Sequence, residues 1–291
     1  MGGFKRSGLL LALIGLLGGL TAHAEAPVWA LRGTHNTVYL AGSVHLLKAE
    51  DAKLPAAFEH AYADSSALVM EIDLDDLDPL AAQGWMLEHG MFQDDTTLSE
   101  AVGKARFEKV QQQANSLGIP VEAMQRLEPW LAAMTLAQLQ LAKLGFDPEQ
   151  GVEKQLERRA KADRKTITGL ETLQDQLGIL DGMSFDDQSR FLDVTLEEMD
   201  TLEGETDALL DAWRTGDAKK LADLLSEEYN VSPALYRKLV EDRNKRWMPE
   251  IERLLRENEN YLVVVGALHL VGDGGLLELT KARGFAAKQL Q

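Results

Sequence analysis

Two stretches near opposite ends of the chain share one pattern. Residues 37–45 read TVYLAGSVH, and residues 261–269 read YLVVVGALH. Each is a short apolar run, rich in β-branched residues, that stops at a glycine and reaches a histidine three residues later. Such a run reads as a buried strand leaving its sheet through a tight turn, because glycine tolerates positive φ and close backbone approach. Residues just past the turn lie at the carboxyl edge of the sheet, where open α/β sheets keep their ligand sites. The pattern therefore predicts one sheet that uses both ends of the chain, with His45 and His269 converging on it. A lone Gly-x-x-His arises readily by chance and reads as a turn cap. Two copies, each directly after a strand, favour a shared site.

The rest of the pattern supports an α/β fold, a mixed sheet built from N- and C-terminal strand motifs with a large helical insertion over about 80–160. Residues 28–31 and 37–41 read as a hairpin across turn residues 32–36. Further strands are expected at 68–72, 165–170, 261–265 and 285–290. Helices are expected at 56–63, 99–113, 127–144, 172–180, 186–212, 217–229, 233–255 and 276–282. Residues 25–291 read as a single domain.

The first 24 residues stand apart. Lys5 and Arg6, an apolar run over 9–20, and Ala22-His23-Ala24 have the form of a secretory signal peptide cleaved after Ala24. The run is short for a membrane span and is interrupted by Gly15, Gly18 and Gly19. The expected location is periplasmic or secreted, with no stable membrane insertion after cleavage. The chain has no cysteine, so it has no disulfide and cannot bind metal through thiolate. Any ion must use His, Asp and Glu, which suits zinc, manganese, cobalt or iron. A net charge of −17 repels nucleic acid and anionic lipid, and excludes nucleic acid as an expected partner.

Two acids accompany the strands. Glu71 sits in the apolar run LVMEI, where a carboxylate must find a partner if it is buried; otherwise it is a strand-end acid facing water. Glu171 follows the strand TITGL and is either a sheet-edge acid or a first-turn acid of the next helix, favoured there by the dipole. The run Asp73, Asp75, Asp76 and Asp78 lacks EF-hand spacing and reads as a solvated loop. Gly272-Asp273-Gly274-Gly275 lacks the Lys-Ser/Thr of a phosphate loop, and no His-Glu-x-x-His occurs. Ser43 is not in a nucleophile elbow. His35, His60 and His89 read as structural or solvated. Two imidazoles and one carboxylate are the usual minimum for a divalent ion that keeps a position open for water.

Six segments in order complete the picture: VWALRG at 28–33, YLAGSVH at 39–45, LVMEID at 68–73, TGLET at 168–172, RN at 243–244 and VVGALHLVG at 264–272. On these the chain resembles the TraB/GumN family, which is related to the Tiki metalloproteases and more distantly to the EreA/ChaN-like group. Ser43 stands where that family often has threonine. The resemblance implies tandem β-α halves on a shared sheet. It also implies a site made by His45, His269, Glu71 and Arg243, with Glu171 as a further carry-over. The expectation is an exported metal-dependent hydrolase, a peptidase acting on a peptide or protein. His45, His269 and Glu71 would hold Mn, Co or Zn; Glu71 or Glu171 would take the proton; Arg243 would stabilise the oxyanion. Two other readings stay open: a metal-free, esterase-like hydrolase with His45 as base, and a periplasmic binder of peptide or metal without turnover. A homo-oligomer is also open, with the helical insertion as lid or dimer surface.

Overall fold

The structure is a computed structural model that describes residues 26–73, 78–199, 201–231 and 233–291. The signal-peptide stretch 1–24, and Asp75 and Asp76 of the acidic run, lie outside the described residues. The chain begins with β1 (Val28–Arg32) and β2 (Thr37–Ser43), then α1 (Ala56–Asp64) and β3 (Ala67–Ile72). A first long connection holds α2 (Pro79–His89), α3 (Leu98–Val102), α4 (Lys104–Ser116), α5 (Pro129–Lys143) and α6 (Val152–Asp163), and leads to β4 (Thr166–Glu171). A second holds α7 (Leu173–Asp181), α8 (Phe185–Glu198), α9 (Leu202–Arg214), α10 (Ala218–Val231), α11 (Pro233–Tyr236) and α12 (Asp242–Leu254). Then come β5 (Tyr261–Gly266), α13 (Leu276–Ala282) and β6 (Ala287–Gln289).

The described strands form one sheet in the order β4-β3-β5-β2-β1-β6. The two Gly-x-x-His strands are direct neighbours: β2 runs parallel to β5, from Val38↔Tyr261 to Ser43↔Gly266. On the other side of β5 lie β3 and β4, also parallel. The hairpin forms as expected, with Val28↔Ala41 to Arg32↔Thr37 in register. The last strand pairs antiparallel with β1 at the far edge, not with β5. All seven residues of β2 are buried, as are the middle four of β5. Strands covered on both faces read this way, as near-continuous apolar runs.

Two expected helices are broken. The one over 99–113 divides at Gly103, whose φ of +79° no helix accommodates, so α3 stops and α4 starts there. Thr97 and Glu100 close a capping box that starts α3. The one over 186–212 divides between α8 and α9 because its two ends serve different cores. Leu192, Leu196 and Met199 pack in a helical cluster with α3, α4 and α5. Leu210, Ala212 and Trp213 pack in the core of the sheet. One straight helix cannot supply both. The helical layer thus draws on both long connections, and Arg106 of α4 makes a two-bonded pair with Asp193 of α8, each bond 2.7 Å. Among the described residues no helix is long and apolar enough to cross a membrane.

Trp213 ties α9 to the strand that carries the first glycine. It is fully buried, and its indole N–H donates to the Gly42 carbonyl at 2.7 Å. Trp213→Phe keeps most of the ring and leaves that carbonyl unpaired. The expected cost is about 1–3 kcal/mol, read as a lower midpoint in urea denaturation.

Candidate active site

Parallel strands end at the same edge. Across β4, β3, β5 and β2 the tips therefore present Glu171, Glu71, Gly266 and Ser43 in a row, with Ile72↔Glu171 and Ser43↔Gly266 in register. The two histidines follow immediately: His45 two residues past β2, and His269 on a short 3-10 turn after β5.

Arg243 draws the acids together. It lies in the first turn of α12, directly after a π-helical turn, Arg237–Glu241, and is 5% exposed. Its Nε and Nη2 donate to Glu171 Oε1 at 2.9 and 2.6 Å, and Nη2 also donates to Glu71 Oε2. Nη1 donates to the Leu239 carbonyl at 3.0 Å and lies 2.9 Å from His269 Nε2. Glu71 further accepts from the Gly266 N–H at 2.7 Å and from Gln176 Nε2 at 3.1 Å. Glu171 accepts from Trp247 Nε1 at 3.2 Å, with Arg246 Nη2 at 3.5 Å. Neither acid faces water. Thr172, not Glu171, caps α7, so the structure takes the sheet-edge reading of Glu171.

His269 has a fixed ring. Its Nδ1 lies 2.7 Å from Asn244 Oδ1, while Asn244 Nδ2 donates to the carbonyls of His269 and Gly274 at 3.1 and 2.9 Å. Because Asn244 offers an oxygen, His269 carries its proton on Nδ1, and Nε2 is the lone-pair atom that meets Arg243. Burial pushes His269 down to about 4, more than the nearby Glu71 carboxylate raises it. Burial alone would raise Glu71; the charges of His269, Arg243 and His45, with the Gly266 N–H, hold it instead at about 2.

His45 is held differently. Its side chain is 61% exposed, and its Nδ1 lies 2.7 Å from Oε1 of Glu153, a carboxylate in the first turn of α6 that is 14% exposed. Ser43 Oγ donates to the same oxygen. The Glu153 charge holds the His45 imidazole above its ordinary value. With Nδ1 engaged, Nε2 turns toward the sheet edge. A β-carbon placed on Gly266 would stand 3.3 Å from Glu71 Oε1, 3.6 Å from His269 Cδ2 and 3.7 Å from His45 Nε2. The glycine thus leaves open the space into which both imidazoles and one carboxylate face.

All five residues singled out in the sequence, His45, Glu71, Glu171, Arg243 and His269, meet at this edge. The donor types fit a divalent cation: two imidazoles, each with Nδ1 tied to an acceptor, and a carboxylate ionised at neutral pH. Among the described residues, no three His, Asp or Glu side chains stand close enough to ligate one ion as arranged here. The Arg243 guanidinium occupies the His269 lone pair, so binding through both rings requires Arg243 to release His269.

Sequence reasoning did not single out Glu153, Gln176, Asn244 or Trp247 as site residues. Asn244 and Trp247 carry a signal in retrospect. Asn244 follows Arg243 directly, and Trp247 lies one helical turn on, on the same face. Glu153 and Gln176 sit in charged helical stretches that give none. The other described histidines lie elsewhere: His60 edge-on to Tyr39, His89 stacked on Trp85 and 3.1 Å from Asp181, His35 exposed at the hairpin turn.

A sequence model of the TraB/PrgY/gumN family matches residues 27–289, and the chain belongs to that family. It is 26% identical to the uncharacterized protein YbaP of Escherichia coli (strain K12) over 269 residues, covering 87% of this chain and 97% of that protein. The YbaP of Shigella flexneri matches to the same extent. An uncharacterized protein of Treponema pallidum (strain Nichols) is 24% identical over 283 residues, covering 92% of this chain and 84% of that protein. No solved structure matches.

Arg243→Gln leaves two buried carboxylates without their cation, and the expected loss is about 3–5 kcal/mol in chemical denaturation. Stability also depends on pH through His269. Its folded value of about 4 lies below the ordinary 6.5, so the unfolded chain takes the proton first. That contribution is fully present above 6.5 and is lost as pH falls toward about 4; Glu71 adds a second loss between 4.5 and about 2. Melting temperature should therefore fall from neutral pH to pH ~4, and fall less in His269→Gln.

Proposed function

We propose that this member of the TraB/PrgY/gumN family is an exported hydrolase of carbonyl substrates, a peptidase, dependent on a divalent metal ion. The observation that carries the reading is the convergence of His45 Nε2, His269 and Glu71 Oε1 around the open face of Gly266. His45, His269 and Glu71 would hold Mn, Co or Zn. Such an ion, when bound, brings the pKa of its water toward neutrality and polarises a carbonyl. Export is supported by the leader-like residues 1–24.

The chain's own residues divide the remaining tasks. Asn244 and Glu153 engage Nδ1 of the two rings, so that His45 Nε2 faces Gly266 and His269 Nε2 faces Arg243. Of the two acids, Glu71 has an oxygen turned toward both imidazoles and is the one that would serve the ion. Glu171 is filled by Arg243, Trp247 and Arg246, and serves to hold the guanidinium in place. Arg243 keeps Glu71 ionised, and the Nη1 N–H freed when it releases His269 would serve the carbonyl oxygen, where negative charge collects as the bond is attacked.

One observation favours a second reading. The 2.9 Å contact in which Arg243 Nη1 donates to His269 Nε2 fills that ring's lone pair and leaves it none for a metal. His45 would then carry the proton, backed by Glu153. Metal analysis of the purified protein, with cleavage of a fluorogenic peptide library with and without chelator, separates the readings. The expected result is loss of cleavage in chelator and recovery on adding Mn, Co or Zn. Cleavage unchanged by chelator in metal-free protein selects the second reading. Tight peptide binding with no product after long incubation removes both, and leaves a binding protein.

A further inference from the structure

We infer that Glu153 is a positioning residue for His45: it fixes the ring's hydrogen bonding so that Nε2 is the nitrogen presented to the site. The inference rests on the reading of His45 as a working residue of a hydrolase. Glu153 belongs to the helical insertion, far in sequence from the first Gly-x-x-His motif, and the two segments are fastened together by backbone. The Val152 N–H donates to the Val44 carbonyl at 3.1 Å, and Leu47 and Asp147 exchange bonds of 3.4 and 3.0 Å. Gly151 makes the approach possible, since a β-carbon there would stand 2.1 Å from the His45 carbonyl oxygen. The first turn of α6 therefore arrives against the His45 loop with Glu153 aimed at the ring.

A purely structural role does not account for what is found there. Bringing a carboxylate out of water is unfavourable, and here one oxygen, Oε2, is buried without a hydrogen-bond partner. The other, Oε1, takes both available donors, Ser43 Oγ and His45 Nδ1. An apolar side chain would close the same space at less cost. What the carboxylate adds is direction. An acceptor-only group at Nδ1 requires a proton there, and a neutral ring must then carry its lone pair on Nε2. That atom faces Gly266, beside Glu71. Ser43, at the tip of β2, steadies the carboxylate from the strand that delivers His45. An amide at position 153 could turn either its oxygen or its nitrogen to the ring, so it would not choose between the two nitrogens.

The test uses the full-length chain and Glu153→Gln. The wild-type protein should show a downfield, slowly exchanging Nδ1–H proton resonance, assigned to His45 by its absence in His45→Gln. Glu153→Gln should lose that resonance while keeping its melting transition. On the library peptide that is cleaved fastest, kcat should fall about 10- to 100-fold with KM nearly unchanged. A resonance and kcat both unchanged in Glu153→Gln overturn the inference. If the wild-type chain cleaves nothing, the functional reading falls, and the resonance alone decides the role of Glu153. Should Glu153→Gln fail to fold, Glu153→Asp, which keeps the charge but falls short of the ring, is expected to lose the resonance; a retained resonance overturns the inference equally.

Discussion

The site depends on one buried cation shared by two buried anions. Arg243 comes from a helix, while Glu71 and Glu171 come from adjacent strands, and all three side chains are nearly closed to water. Any of these charges alone at that depth would be strongly unfavourable. Together they are held by four local, directional restraints: the guanidinium fork, the Gly266 N–H, the Gln176 amide and the Trp247 indole. The triad does more than satisfy itself. By keeping Glu71 ionised and pressing a guanidinium N–H on His269, it sets the charge state of the groups that face Gly266.

The sheet makes that arrangement possible. Pairing β2 with β5 brings together segments more than two hundred residues apart, and parallel strands put their tips at one edge. The long connections are not passive. The first returns through α6 to give His45 its carboxylate partner, and the second returns through α7 and α12 to give Gln176, Arg243 and Asn244. Each Gly-x-x-His histidine is thus completed by a helix from a different connection.

The two imidazoles have similar local sequence and opposite environments. His269 is enclosed beside a guanidinium and is pushed toward the neutral form. His45 is largely open to solvent and is drawn toward the charged form by Glu153. The motif places both rings at the edge, but burial in one case and the Glu153 carboxylate in the other decide how each responds to protons.

Much of this was legible in the residues themselves. Apolar runs ending at Gly42 and Gly266 announce two strands with a common exit, and a carboxylate inside LVMEI announces a buried partner, because local period and the cost of burying charge are written in short windows. The absence of thiolates is likewise a property of composition. Other features had no local signal. Whether Glu171 capped a helix or faced the site depended on where α12 lay, and its neighbour Thr172 took the cap. The break at Gly103 followed from the positive φ that glycine adopts there, and the division of α8 from α9 from which core each helix had to reach. Glu153 looks like any solvated acid in EQGVEKQLERR until Gly151 lets the helix start against His45. Sequence alone determined the strands, their glycine exits and the residue types available for chemistry, since these rest on near-neighbour physics. Only the tertiary structure decided which acid meets which ring and how each is charged, because those contacts join segments that no local pattern connects.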